Sequence, residues 1–226
     1  MDSRPNDRFR LYGHSQEFAI RARPAPNPVR RSAILAAAHT CFWKSGIRRT
    51  SIEDVANEAG LAKGTIYLYF DSKEELFAAL AAKLCEESLG GVAAALAAPG
   101  PLERRLAGAL DAKIGHFHRL LAGSAHGAEL LDESASIAAT HLDQLDRAFR
   151  SAIERALAGA KLGLGARSRA ELLEQILAAG YGVARQSELS GRFDANADRA
   201  RLERHLELLL RGSVSAPRGG RPRLGS

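Results

Sequence analysis

Residues 63–73 carry the side chains of this sequence that are best suited to bind another molecule. They are basic, hydroxyl-bearing or aromatic, and they are Lys63, Thr65, Tyr67, Tyr69 and Lys73. Side chains of these types hydrogen-bond to phosphates and to the edges of nucleic-acid bases. Gly64 has no side chain, so backbone N–H groups beside it can come close to a polyanion. The stretch therefore predicts a surface that binds nucleic acid.

Two short helices joined by a tight turn must position these side chains. The first has apolar residues at i, i+3, i+4 and i+7, which predicts one buried face: Ile52, Val55, Ala56 and Ala59. Ser51 and Asp54 predict a capping box at its start. Gly60 suits the left-handed residue that closes a helix, and a second helix begins near Lys63. Residues 51–70 thus have the outline of a helix-turn-helix.

The helix before this pair is marked at both ends. Asn27 and Pro28 predict its start, and Gly46 predicts its end. Arg48 and Arg49 lie in the connection to the next helix. They either approach phosphates or form a solvated basic loop, and the sequence favours neither reading.

The helix after the pair also has a predicted start and end. Ser72 and Glu75 predict a second capping box, and Gly90 with Gly91 predicts the end of the helix. Lys73 lies in the first turn, where a carboxylate would interact more favourably with the helix dipole. It is therefore either a ligand for an external anion or a surface lysine beside an acidic neighbour.

The positive charge of the chain is concentrated near its N-terminus. Residues 1–50 hold ten Lys and Arg against three Asp and Glu, whereas residues 51–226 hold 22 against 23. This asymmetry favours a polyanionic partner, although basic segments also serve as solubilising leaders. We expect residues 1–27 to form a flexible basic arm, which either reaches a DNA minor groove or has no role, and residues 212–226 to form a disordered tail.

The helix-turn-helix and its flanking residues resemble the DNA-binding domain of the tetracycline-repressor (TetR) family of bacterial transcription regulators. The resemblance extends over residues 31–80 and is carried by the strings TSIEDVANEAGLAKGTIYLYF and DSKEELF, in order and in register. It implies that Lys63 and Thr65 approach base edges or nearby phosphates. It also implies that the two tyrosines and Lys73 hold the DNA backbone.

The full set of DNA-binding residues that we expect includes the loop and both helices. It consists of Arg49, Ser51, Lys63, Gly64, Thr65, Tyr67, Tyr69 and Lys73. The chain departs from the family at Ala62, where family members often have Ser or Thr. The second helix should therefore lack a side-chain cap and one possible phosphate ligand.

The rest of the chain predicts an all-α protein. Residues 28–88 form the predicted three-helix DNA-binding domain, and residues 89–211 form a helical ligand-binding and dimerisation domain, with about nine helices in total. The last two helical patterns carry a broad apolar stripe. The stripe either completes the core of one protomer or forms a four-helix contact in a homodimer. The resemblance favours the dimer, with an interface at Leu173, Ile176, Leu177, Gly180, Tyr181, Leu202, Leu206 and Leu209.

The resemblance also implies control by a small molecule. Such an effector would enter the helical domain between the fourth and seventh helices and displace the fourth helix. The walls that we expect for this pocket are Leu84, Phe117, Leu121, His126 and Leu130.

Catalytic and metal-binding patterns are weak. Residues 123–127 resemble a hydrolase elbow only superficially, because Ala125 stands where the nucleophilic serine is needed. His126 and Glu129 are three apart and could converge, with His141 nearby, but the sequence favours polar lining of an otherwise apolar pocket over a metal site. No cofactor or metal is expected, and the isolated cysteines indicate a reducing compartment.

These features favour a homodimeric, cytoplasmic and nucleoid-associated transcription regulator, a repressor that binds a double-stranded palindromic operator and is released by an effector. No membrane role is expected, because no apolar run is long enough to span a bilayer. A helical-bundle metal-dependent enzyme and a sequence-tolerant DNA-packaging protein are the alternatives.

Overall fold

The computed structural model describes residues 27–215, and all regular structure within that range is helical. Its helices are α1 (Pro28–Ser45), α2 (Ile52–Glu58), α3 (Lys63–Tyr67), α4 (Lys73–Ala97), α5 (Leu102–Leu110), α6 (His116–Ala122), α7 (Gly127–Ile137), α8 (Ala139–Gly159), α9 (Ala166–Ser190) and α10 (Ala195–Ser215). A π turn, Asp111–Gly115, joins α5 to α6 without a break. The described chain therefore forms nine helical rods, which confirms the predicted all-α fold.

The predicted helix starts in the N-terminal domain are confirmed. The Asn27 side chain accepts hydrogen bonds from the first turn of α1, with Pro28 as its first residue. Ser51 and Asp54 form the complete capping box of α2. Gly60 has φ +64°, so the turn after α2 uses a conformation that a side chain would strain. Ala62 gives α3 no side-chain cap.

The predicted end of α4 at Gly90 and Gly91 is wrong, because the helix continues to Ala97. Close packing explains the glycine at position 91: a Cβ there would lie 3.1 Å from the Cβ of Ala112 in the π turn. Ser88 supports the same approach by donating to the Ala112 carbonyl at 3.2 Å. The glycine therefore brings α4 close to the π turn and does not terminate the helix.

Two hydrophobic cores share α4. The N-terminal core, formed by α1 to α4, includes Phe42 and Phe77 in an edge-to-face contact at 5.6 Å. Leu130 of α7 is fully buried in this core. The second core lies among α4, α5, α8, α9 and α10, and it receives Val92 from α4. The α4 helix thus connects the cores, and α7 reaches from the second domain into the first.

The predicted dimer interface must be corrected. Most of its residues fill the core of the protomer itself and cannot also contact a partner: Leu173, Ile176, Leu177, Gly180, Leu202 and Leu206 are buried, and Leu209 packs against them. Gly180 allows close packing where α9 crosses α5, because a Cβ there would lie 2.8 Å from Leu110 Cδ2. Of the predicted set, only Tyr181 is exposed.

The chain ends differ from the predicted boundaries where they are described. The α10 helix runs to Ser215, four residues into the predicted tail. Residues 1–26 of the predicted arm and residues 216–226 lie outside the described part of the chain. No helix among residues 27–215 is long and apolar enough to cross a membrane.

Candidate nucleic-acid interface and ligand cavity

Helix α3 is anchored by its apolar face and presents its other residues to solvent. Ile66 is fully buried and Phe70 nearly so. Lys63, Gly64 and Tyr67 are exposed. The Lys63 ammonium lies 3.5 Å from a Glu53 carboxylate oxygen, but both side chains are exposed and such a pair contributes little. The exposed face is therefore free to meet a groove of DNA.

The remaining α3 residues differ in exposure. Thr65 is half-buried, and Tyr69 is half-buried against the N-terminal core. Leu68, at the C-cap of α3, is 47% exposed beside Tyr67. Leu68 is not among the predicted DNA-binding residues, although its position outside the spacing of the buried Ile66 and Phe70 indicates an exposed side chain. An exposed apolar side chain there suits contact with a thymine methyl group.

Lys73 makes contacts inside the protein. Its ammonium donates to the backbone carbonyls of Thr50 at 3.1 Å and Arg48 at 3.4 Å. It therefore holds the α1–α2 loop, residues 46–51, from the start of α4. This contact explains a lysine in the first turn of a helix without an external anion, and a phosphate contact by Lys73 stays a prediction.

The α1–α2 loop is also held by α7. The backbone N–H of Arg48 donates to Glu129 Oε1 at 2.9 Å, and Arg48 Nε donates to Glu133 Oε1 at 3.0 Å. Gly46 makes room for this carboxylate, because a Cβ at its position would lie 2.6 Å from Glu129 Oε2. With φ +79°, Gly46 also has a backbone conformation that favours glycine.

Arg49 and Ser51 have partners within the protein as well. Arg49 Nε donates to the Ser45 carbonyl at 3.0 Å, and its Nη2 lies 2.9 Å from His126 Nδ1. The Ser51 hydroxyl donates to Asp54 Oδ2 at 2.7 Å. Hydrogen bonds from the Ser51 backbone and side chain lower the pKa of Asp54. Ser51 thus caps the start of α2, whether or not it also contacts DNA.

A cavity of about 1010 Å³ lies between the π turn, α6, α7, α8 and α9. Its walls are mainly apolar, and the larger apolar residues among them are Ile114, Phe117, Leu121, Leu131, Leu142, Leu145 and Phe193. A space of this size and composition is typical of a small-molecule site.

Four charged groups of the cavity, Lys113, Asp146, Arg185 and Glu188, are paired with one another. Lys113 donates to Asp146 Oδ1 at 2.9 Å and to the Tyr181 hydroxyl at 3.0 Å. Burial alone lowers the pKa of Lys113, but its hydrogen bonds to Tyr181 and Asp146 outweigh burial and raise it. Arg185 Nη1 lies 2.7 Å from Glu188 Oε2. The cavity thus combines mainly apolar walls with two ion pairs.

A family model and curated proteins match the N-terminal part of the chain. Residues 34–80 match the model described as bacterial regulatory proteins of the tetR family. The transcriptional regulator TtgR of Pseudomonas putida is 43% identical over 56 residues, which are 25% of this chain and 27% of that protein. The repressor KstR2 of Rhodococcus jostii is 43% identical over 47 residues, which are 21% and 23%. The chain thus spans about a quarter of the length of these relatives.

Residues 34–80 are thus similar to the DNA-binding domain of the tetR family. Solved structures extend the likeness in fold over both domains. A TetR-like regulator from Rhodococcus sp. RHA1 is 25% identical with a TM-score of 0.58, covering 83% of this chain and 99% of that one. The regulator FadR of Bacillus subtilis, solved in complex with stearoyl-CoA, is 20% identical with a TM-score of 0.60, covering 80% and 98%.

The predicted pocket residues are only partly correct. Phe117 and Leu121 line the cavity. Leu130 is fully buried in the N-terminal core and Leu84 packs against that core, while His126 contacts Arg49. Within residues 27–215, no α4 residue lines the cavity, so the expected site between the fourth and seventh helices is also corrected. The α4 helix lies behind the π turn instead.

The His and Cys residues that could bind a metal ion or react as thiolates have the following surroundings. His126 Nδ1 lies 3.9 Å from Glu129 Oε2, so the two side chains converge as their spacing predicts. Among residues 27–215, no three His, Cys, Asp or Glu side chains are grouped so as to hold a metal ion. Burial raises the pKa of the Cys41 and Cys85 thiols, which disfavours the reactive thiolate.

Proposed function

We propose that the protein is a sequence-specific DNA-binding transcriptional regulator of the repressor type. The observation that carries this proposal is the exposed face of α3, with Lys63, Gly64 and Tyr67 free in a TetR-family helix-turn-helix. Ile66 and Phe70 fix that helix from below, so the exposed residues can enter a groove with a defined orientation. The curated relatives TtgR and KstR2 are a named regulator and a named repressor, which supports the same role.

The regulator acts as a homodimer in this proposal. Two α3 helices about 34 Å apart would read the half-sites of a palindromic operator in successive major grooves. Because the predicted apolar stripe is used inside the protomer, the contact must come from the outer faces of α9 and α10. Leu189 and Leu208, which are 72% and 68% exposed, are the apolar residues that we assign to it. Such a regulator works in the cytoplasm, on the nucleoid.

The effector is a small, largely apolar molecule in this proposal. The cavity has room for it, and its apolar walls would bury most of the surface of such a ligand. The Bacillus subtilis FadR structure, which is similar in fold, is a complex with stearoyl-CoA, and this supports an effector with a large apolar part. Because Lys113 is already bound to Asp146 and Tyr181, we propose a binding role for the cavity and not a catalytic one.

Selection from a pool of random duplexes, followed by gel shifts at several salt concentrations, tests the proposal. A regulator enriches a palindrome and binds it at least about a thousandfold more tightly than random duplex. Uniform, strongly salt-dependent binding to every duplex would instead identify a DNA-packaging protein. Absence of binding to any duplex would contradict both functions.

A further inference from the structure

The α6–α7 corner, residues 120–129, has two faces with different neighbours. One face lines the cavity through Leu121, Ala125 and Ala128. The other face is hydrogen-bonded to α1 and to the α1–α2 loop. Gly127 makes this corner compact, because a Cβ there would collide with the Leu121 carbonyl. A compact corner moves as a unit, so a displacement on its cavity face reaches its other face.

The end of α1 is attached to this corner by two hydrogen bonds. Trp43 Nε1 donates to the Leu120 carbonyl at 3.1 Å, and the Ser124 hydroxyl donates to the Trp43 carbonyl at 2.7 Å. Ser124 also lines the cavity and accepts a hydrogen bond from the backbone N–H of His126 at 3.0 Å. A single serine thus belongs to the cavity wall and to the contact with the DNA-binding domain.

The α1–α2 loop is attached to the same corner through Glu129. This carboxylate accepts the Arg48 N–H at 2.9 Å and fills the space that Gly46 leaves open. The next residue, Leu130, is fully buried in the N-terminal core. The first turn of α7 is therefore packed as part of the DNA-binding domain, whereas Ala128 and Leu131 on its other side line the cavity.

The loop leads directly into the helix-turn-helix. Thr50 is buried, and its hydroxyl donates to the Gly46 carbonyl at 2.7 Å. Ser51 then caps α2. Because these bonds leave the loop little freedom, a shift of Glu129 is passed to α2 and to the packed α3 as a rigid-body movement.

We propose that the α6–α7 corner carries the signal from the cavity to the DNA-binding helices, with Glu129 as the positioning residue. The inference rests on the proposed function and names how the cavity controls it. An occupant in contact with the corner moves Glu129, and Glu129 moves the α1–α2 loop and the helices that read DNA. This connection is direct, whereas α4 lies behind the π turn and does not line the cavity within the described residues.

Coupling of this kind is reciprocal, so it can be tested without knowing the effector. If the corner responds to the cavity and to the DNA-binding helices, operator binding must change the corner. Hydrogen exchange of the amides of residues 120–130 is measured with and without the palindromic duplex that the protein itself selects. We expect a change of about fivefold or more in these exchange rates, the lower end of ordinary coupling.

The variant Glu129→Ala removes the acceptor for the Arg48 N–H. It should bind the duplex within about threefold of wild type, because the exposed face of α3 is unaltered, but the exchange response of the corner should be lost. Glu129→Gln retains an acceptor oxygen and should retain the response. Asp132→Ala is the matched control, since Asp132 is an exposed acidic residue on the same helix, and its response should equal that of wild type.

A second variant covers the case in which Glu129→Ala is unstable. Trp43→Phe keeps an aromatic ring beside His39 but removes the donor to the Leu120 carbonyl, and it should weaken the response. A response of wild-type size in Glu129→Ala overturns the inference, as does a wild-type protein that binds its palindrome without any change at the corner. In both cases the proposed function stands. Failure to bind any palindrome would overturn the proposed function, and this inference with it.

Discussion

The α2–α3 pair and the cavity between α6, α7, α8 and α9 both face solvent, but different contacts position them. Caps, a turn glycine and two buried anchors hold the helix pair, all within about 20 residues of chain. Side chains from four separate helices and the π turn build the cavity. A surface made from local contacts has one arrangement for a given sequence. The arrangement of a surface formed between long helices depends on which faces of those helices are in contact.

Adjacent residues of α7 illustrate this dependence. Leu130 is fully buried in the N-terminal core, whereas Leu131 is 54% exposed and lines the cavity. Successive residues of a helix differ in direction by about 100°, so adjacent leucines serve different neighbours. The α2–α3 pair has no such choice of neighbours, because Ile66 can pack only into the small core of α1 to α4.

Ile66→Ala should have the largest effect. It removes a fully buried anchor of a five-residue helix and should lower the free energy of unfolding by about 2–5 kcal/mol, measured by urea denaturation. Leu206→Ala, in the second core, should cost a similar amount. At a temperature where both variants are folded, only Ile66→Ala should weaken operator binding strongly. Equal weakening by both would show that the helix pair is not positioned locally.

Lys73→Met tests whether α4 holds the loop or the DNA. Two hydrogen bonds from its ammonium to the Arg48 and Thr50 carbonyls predict a loss of about 1.5–3 kcal/mol in the free energy of unfolding. Lys83→Met on the same helix breaks only an exposed pair with Glu87 and should cost less than about 1 kcal/mol. Unchanged stability, with a salt dependence of DNA binding reduced by about one counterion, would assign Lys73 to a phosphate instead.

The helix pair was predictable from the sequence because each of its signals is local. Ser51, Asp54 and Gly60 act within one turn of themselves, and the structure confirms all three. The cavity was only half predictable. Phe117 and Leu121 could be named from their helix, but Lys113, Asp146 and Tyr181 meet only when the π turn, α8 and α9 are assembled.

The same limit explains the mistaken dimer residues. An apolar stripe shows that a helix face is buried but not by what, and α9 and α10 use their stripes against α4, α5 and each other. The internal contacts of Lys73 and Arg49 were unpredictable for a similar reason. The Thr50 carbonyl lies 23 residues from Lys73 in sequence, and His126 lies 77 residues from Arg49.

Thr65 and Lys63 should separate sequence reading from backbone binding within the helix pair. Thr65→Val, which removes one hydroxyl, should change the preferred base at one position of each half-site by about 1–3 kcal/mol. Lys63→Ala should instead weaken binding to all duplexes alike and reduce the salt slope by about 0.9. Gel shifts with single-base variants of the operator measure both. A uniform loss on changing Thr65 would contradict its base-reading role.

The Lys113–Asp146 pair gives the cavity side a pH dependence. Burial raises the pKa of Asp146, but the hydrogen bonds and positive charges of Lys113 and Arg150 together outweigh burial and lower the pKa below its ordinary value. The folded state therefore favours the carboxylate. Its contribution is present above the unfolded pKa near 4 and is lost as the pH falls through the folded pKa.

Removal of the Lys113–Asp146 pair should slightly reduce the dependence of the free energy of unfolding on pH. The variant Lys113→Met with Asp146→Asn should lose less stability than wild type between pH 5 and pH 3, by at most about 1 kcal/mol because Asp146 is partly exposed. Urea denaturation at the two pH values measures the difference. Identical losses in both proteins would show that the pair contributes nothing to the pH dependence of stability.

The smallest effects should come from two neighbouring glycines in α4, which connects the two regions. A Cβ at Gly90 would meet open space, and the helix continues through it, so Gly90→Ala should raise the free energy of unfolding by about 0.5–1 kcal/mol. Gly91→Ala gains the same helix propensity, but its Cβ would lie 3.1 Å from that of Ala112. The π turn would have to move, and we expect a net loss of about 1 kcal/mol. If both substitutions stabilise the protein, α4 does not pack closely on the π turn. If neither does, α4 ends at Gly90 and Gly91, as the sequence alone predicts.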